Sequence, residues 1–220
     1  VAQAAADGLA DGYSCFKLKV GLPDDGERAA AVREAIGPWP ALRVDANGAW
    51  GAAEAVERIA GLVEFDLQLV EQPCPTLEEM ASVRESVDVP IAADESIRTA
   101  DDVRRAATIE ACDAVNVKLA GSGGFRPARD ALRAATESGM QGWLSSTLDG
   151  PWAIAAALQL AAGERVTLAC GLATLNLFDA EIARALPGPK TGLMAVPQGP
   201  GLGMDVSAEM LAEVLVEERD

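Results

Sequence analysis

The chain has 220 residues, 50% of them hydrophobic, and a formal net charge of −16. That length and apolar content supply a full core for one main domain, while the acidic balance disfavours nucleic acid, which needs clustered Lys and Arg. Histidine is absent, which removes imidazole bases, Ser-His-Asp and Cys-His nucleophiles, and His-based zinc sites.

In chain order, a helix is expected over Val1 to Leu9, which has no basic run ahead of an apolar core and so does not read as a signal peptide. Strands are expected at Cys15 to Val20, Leu42 to Asp45, Leu67 to Glu71, Ile91 to Ala93, Ala114 to Lys118, Gly142 to Ser145 and Thr167 to Cys170. Helices are expected between them at Asp25 to Ile36, Ala52 to Leu62, Leu77 to Ser86, Ala100 to Ile109, Phe125 to Ser138 and Pro151 to Ala162. The last of these is the longest apolar stretch, about half of the roughly 20 residues that a membrane span requires. From Pro187 the sequence turns Gly and Pro rich through GPGLGM, and a final helix is expected from about Ser207, with that residue as its cap.

Alternation of this kind describes an α/β chain with parallel strands. A repeat of about 25 residues suits a TIM-type barrel better than an open sheet, although periodicity alone leaves a doubly wound sheet open. Seven strands are one short of eight, so a first strand preceding this sequence is expected. Residues 1–186 are assigned to the barrel, strands two to eight, and residues 187–220 to a C-terminal segment that packs on the outside of the barrel or against the part expected to precede this sequence. The four cysteines, Cys15, Cys74, Cys112 and Cys170, form no CxxC pair and read as small core residues of a cytoplasmic protein.

Five charged residues close successive apolar runs: Lys19, Asp45, Glu71, Asp94 and Lys118. Singly, each acid reads as a cap or turn residue, and the KxK of FKLKV as a lysine-bearing edge strand. A parallel barrel, however, collects the ends of its strands at one rim. Period two puts Lys17 and Lys19 on one face of their strand and Asn116 on the face of Lys118. Three carboxylates within about 4 Å repel by roughly 4 kcal/mol per pair at an effective dielectric near 20, so such a site needs a cation. With oxygen ligands alone, Mg²⁺ or Mn²⁺ is expected. A lysine could then remove a proton beside a carboxylate, provided its pKa falls from about 10.4 toward 7 to 8, a cost of about 4 kcal/mol.

The order FKLKV, DAN, VEQP, ADES and NVKLAGSGG resembles the muconate lactonising enzyme subgroup of the enolase superfamily over nearly the whole chain. The resemblance implies that Asp45, Glu71 and Asp94 are metal ligands, that Lys19 is the acid/base and that Lys118 is its counterpart. It makes Lys17 a tuner of Lys19, with Asn47 and Glu95 supporting the ligands from outside. It also implies an N-terminal α+β capping domain. VEQPCPTLEEM, IAADESIR, SSTLDGPWAIAAALQLAAG and LACGLATLNLF look most like the o-succinylbenzoate synthases of menaquinone biosynthesis, particularly the actinobacterial type. In that group Ser145, Ser146 and Thr147 would lie against the substrate's carboxylate tail, whereas the residues themselves read equally as a capped helix start before Pro151.

The implied reaction is a Mg²⁺-dependent syn-dehydration of a small carboxylate. Racemisation of N-succinylamino acids, dipeptide epimerisation and muconate cycloisomerisation are alternatives within the subgroup. A non-catalytic barrel fragment is the alternative from another class. No nucleic acid or membrane partner is expected, and a homo-oligomer stays open. GSGG reads as a tight loop, since no GK[ST] follows it to make a phosphate cradle.

Overall fold

The computed structural model describes residues 1–178, 181–204 and 207–214. After α1 (Ala2–Ala10) the chain alternates through β1 (Cys15–Lys19), α2 (Asp25–Ile36), β2 (Ala41–Asp45), α3 (Ala52–Ala60), β3 (Leu67–Glu71), α4 (Leu77–Ser86), β4 (Ile91–Ala93) and α5 (Ala100–Thr108). It continues through β5 (Ala114–Val117), α6 (Leu119–Ser122), α7 (Phe125–Glu137), β6 (Gln141–Leu144) and α8 (Pro151–Gly163), with a final helix α9 (Ala208–Val214). The helices start where local chemistry satisfies their free N–H groups. Thr76 caps α4, a Thr99–Asp102 capping box opens α5, and Pro151 takes the first position of α8. Ser207 Oγ accepts from Met210 N–H at 3.2 Å, the expected cap of the last helix. The part of that expected helix and segment beyond residue 214 lies outside the described residues.

All pairings in the sheet are parallel and follow chain order, β1-β2-β3-β4-β5-β6. Order without reversal sets aside the doubly wound alternative, in which the strand order switches direction. The sheet is also curled. Arg43 of β2 stacks over the Trp143 ring of β6 at 4.9 Å, although four strand spacings of about 4.8 Å would separate these strands in a flat sheet. Curling divides the core in two. The larger cluster lies between sheet and helices, and a small inner one of Leu69, Ala92, Ala114 and Trp143 fills the concave side beneath the strand ends.

Two expectations about elements need correction. Thr167 to Cys170 forms no strand. The segment meets the sheet through one parallel bridge, Ser145↔Gly171, because the Ala169 carbonyl accepts from Arg43 Nη1 at 3.0 Å rather than from a ladder N–H. A Cβ at residue 171 would lie 3.0 Å from that of Ser145, so any side chain there would have to displace Ser145 by a few tenths of an ångström. The fold is therefore a curled six-stranded α/β half-barrel. A cavity of about 390 Å³, lined by Cys15, Leu158, Cys170 and Met194 among others, lies between the start of β1 and this segment. The second correction is α6, a single helical turn that occupies the start of the expected loop and ends at Gly123 and Gly124, both with positive φ.

Within the C-terminal segment, Pro197 meets α8, where Gln159 donates to its carbonyl at 2.5 Å. Cys74 and Cys112 are buried, Cys15 and Cys170 partly so, and all four are free. No helix among the described residues is long and apolar enough to cross a membrane.

Candidate active site

The three acids sit at the C-terminal ends of adjacent strands. Asp45 ends β2, Glu71 ends β3, and Asp94 follows β4 by one residue. Apolar residues precede each acid and carry its backbone into the sheet, so the carboxylates emerge together at one rim. One oxygen from each lies within 4.8 Å of the others. All three residues are buried, at 0, 0 and 3% exposure, which is costly for carboxylates without a compensating cation.

The lysines meet them from both flanks. Lys19 Nζ donates to Asp45 Oδ2 at 2.6 Å and to Asn47 Oδ1 at 2.7 Å. Lys17 Nζ donates to Asp45 Oδ2 at 2.8 Å and Glu71 Oε1 at 3.0 Å. Lys118, which precedes α6, reaches Asp94 Oδ2 at 2.5 Å. Because β1 is one edge of the curled sheet and β5 lies four strands along, Lys19 and Lys118 approach the acids across its mouth.

Burial alone would raise the Asp45 pKa, but Lys17, and then Lys19, outweigh it and hold this carboxyl below its ordinary range. Burial dominates at Glu71 and, with the Asp45 and Asp94 charges, lifts it to about 7 against the pull of Lys17. Lys17 shows the reverse balance. Burial opposes its charge, yet Glu71 and Asp45 keep its pKa above the usual lysine value.

The outer residues hold this arrangement from behind. Asn47 donates its backbone N–H to Asp45 Oδ1 at 3.0 Å and its side-chain amide to Glu95 Oε1 at 2.7 Å. Asn116 donates to Glu71 Oε1 at 3.0 Å and accepts from Ser145 Oγ at 2.6 Å. The 145–147 trio is divided. Ser145 joins the site, whereas Ser146 accepts from Asp149 N–H at 2.8 Å and Thr147 bonds Asp149 at 3.1 Å, forming the turn before α8.

With both Lys17 and Asn116 on Glu71 Oε1, Glu71 Oε2 is buried and without a hydrogen-bond partner. A hard divalent ion fits there: three carboxylates converge, their oxygens are the preferred donors, and one of them is unsatisfied. Two site residues escaped the sequence reading. Arg43 underlies the acids, bonded to Gln68 Oε1 at 2.6 Å, and its period-two relation to Asp45 was a usable signal. Gln72 is 1% exposed behind Glu71 and Asp94, and strand periodicity would have sent it to the opposite face.

A curled parallel α/β sheet with a buried three-carboxylate cluster flanked by lysines defines the class: a barrel-type fold with a candidate metal centre at the C-terminal rim of its strands. The chain belongs to the enolase C-terminal domain-like family, whose model matches residues 1–210. It is 41% identical over 211 residues to an o-succinylbenzoate synthase of Thermobifida fusca, covering 92% of this chain and 64% of that protein. A Mycobacterium tuberculosis o-succinylbenzoate synthase is 43% identical over 192 residues, covering 84% of this chain and 57% of that protein. The chain thus spans roughly three fifths of these relatives' length.

Among solved structures, an N-succinyl Arg/Lys racemase from Bacillus cereus matches with a TM-score of 0.91 at 28% identity, covering 98% of this chain and 59% of that one. A dipeptide epimerase from Enterococcus faecalis, complexed with Mg and L-Leu-L-Tyr, matches with a TM-score of 0.85 at 29% identity, covering 93% of this chain and 60% of that one.

Proposed function

We propose that this chain carries the active site of an o-succinylbenzoate synthase, a Mg²⁺-dependent lyase that dehydrates 2-succinyl-6-hydroxy-2,4-cyclohexadiene-1-carboxylate in menaquinone biosynthesis. The observation that carries the reading is the cluster of Asp45, Glu71 and Asp94 between Lys19 and Lys118. The curated relatives narrow the substrate, and the epimerase complexed with Mg supports that ion over Mn²⁺.

Asp45, Glu71 and Asp94 would hold the Mg²⁺, which would supply positive charge to offset that of the substrate carboxylate. The reaction begins with loss of the proton on the carbon beside that carboxylate. Lys19 Nζ, in its neutral form, takes that proton. Since a syn elimination removes proton and hydroxyl from one face of the ring, the same ammonium then protonates the departing hydroxyl, which leaves as water while the ring becomes aromatic. Lys118 lies opposite, placed to offset the developing charge. Lys17 remains the ammonium that Glu71 and Asp45 stabilise, a fixed charge on the same strand face as Lys19. Ser145, bonded to Asn116, would lie nearest the succinyl carboxylate, with Ser146 and Thr147 of the turn before α8 beyond it.

Lysines on two flanks also suit 1,1-proton transfer, in which one lysine removes the proton and the other returns it to the opposite face. The racemase and epimerase neighbours favour that as the second reading. Purified protein with Mg²⁺ is expected to convert the cyclohexadiene to 2-succinylbenzoate, followed by loss of the diene absorbance. Absence of turnover, with deuterium exchange at the α-carbon of N-succinylamino acids or dipeptides in D₂O, would move the assignment to the racemases and epimerases.

A further inference from the structure

Asp94 is the site carboxylate with the least help from the sheet. β4 ends at Ala93, and its pairing with β3 stops at Glu71↔Ala92. A regular parallel ladder would continue with Gln72 N–H donating to the Ala92 carbonyl, which it does at 2.8 Å, and then with the Gln72 carbonyl accepting from Asp94 N–H. That second rung is missing. Gln72 has φ +38°, a left-handed conformation that costs a residue with a side chain about 1–3 kcal/mol, and its carbonyl accepts instead from Gly48 N–H at 2.7 Å.

The side chain supplies the lost rung. Gln72 Oε1 accepts from Asp94 N–H at 2.8 Å and from Ser96 N–H at 3.3 Å. Its Nε2 donates to the Cys74 carbonyl at 2.8 Å and to Ser96 Oγ at 2.7 Å. Two backbone N–H groups on one side and a carbonyl on the other fix which way the amide faces, and all four of its hydrogen-bonding positions are used. An ordinary strand end with an apolar side chain would suffice for packing. The strained backbone and satisfied buried amide do something further: they join the segment carrying Asp94 to the strand carrying Glu71 and to the Asn47–Gly48 turn beside Asp45.

We propose that Gln72 is a positioning residue of the metal centre, clamping the 94–96 segment so that the Asp94 carboxylate is held in register with Glu71 and Asp45. This rests on the reading of those three acids as a metal site. The test is calorimetric titration of Mg²⁺ into the folded full chain, alongside thermal unfolding without metal. Gln72→Met is expected to weaken Mg²⁺ binding about tenfold or more, the usual effect of removing an outer partner of a ligand. Ser96→Ala, which removes one acceptor of the amide, is expected to weaken it about threefold, as for one ordinary hydrogen bond. Val83→Ala, a buried change on α4 outside the site, is expected to lower the unfolding midpoint and leave Mg²⁺ affinity unchanged.

Wild-type affinity in Gln72→Met would overturn the clamp, as would a loss in Val83→Ala that tracks its destabilisation. If Gln72→Met does not fold, Ser96→Ala decides, and unchanged affinity there overturns the proposal. A wild-type chain that takes up no Mg²⁺ overturns the metal reading and the clamp with it, which separates that failure from a failure of the clamp alone.

Discussion

Asp45 accepts from two ammonium groups, Lys17 and Lys19, whereas Lys118 reaches only Asp94, so the three lysines are not equivalent. Lys17 lies deeper and also bonds Glu71, while the Lys19 side chain is 58% exposed and faces the mouth. That exposure suits a group that must reach substrate. Lys19→Ala is therefore expected to lower kcat by about 10²–10⁴, the usual worth of a positioned acid/base. Mg²⁺ affinity should not weaken, because the change removes a cation from Asp45. A parallel loss of Mg²⁺ binding in the same titration would make Lys19 a structural partner of the acids instead. That these acids and lysines cluster was legible in the sequence, because each ends an apolar run that carries it to the rim. Gln72 was not, since its left-handed φ breaks the period-two rule by which strand faces are read.

At the scale of elements, α2, α4, β3 and β4 have the bounds their sequence patterns indicate. Thr167 to Cys170 was misread because apolar, β-branched content reports suitability for a strand but not the presence of a partner, and here Arg43 occupies the carbonyl a partner would need. The Ser207 cap of the last helix was legible, since its chemistry is local. Asp102 closes the capping box of α5 by accepting from Thr99 N–H at 2.8 Å and Arg98 N–H at 3.1 Å. Burial opposes its charge, but these bonds and Arg105 hold its pKa below the ordinary aspartate value. A depressed carboxyl contributes stability above the unfolded pKa, about 3.9, and loses it as pH falls through the folded one. Asp102→Asn is thus expected to cost about 0.5–1 kcal/mol at pH 7, modest because this carboxylate is partly exposed. In urea melts the gap from wild type should close below about pH 4; a gap independent of pH would place the effect in packing.

For the molecule as a whole, the acid cluster is a local concentration of a general excess, three buried carboxylates in a chain of net charge −16. Lys17, Lys19 and Lys118 offset part of that charge, but Glu71 Oε2 remains unsatisfied. An ion that binds the folded arrangement and not the unfolded chain must stabilise the fold by linkage. At a hundred times its dissociation constant the gain is about 2.7 kcal/mol, or roughly 5–10 °C in Tm for a chain of this size. Mg²⁺ is therefore expected to raise Tm by that amount, and EDTA to reverse it. Asp94→Asn should abolish most of the shift, because it removes the charge of one ligand while keeping its shape. Potassium chloride at equal ionic strength separates this from screening of the surface charge, which any salt supplies. A rise in Tm that KCl reproduces, or that survives in Asp94→Asn, would assign the stabilisation to the surface and remove the three acids from the role of metal centre.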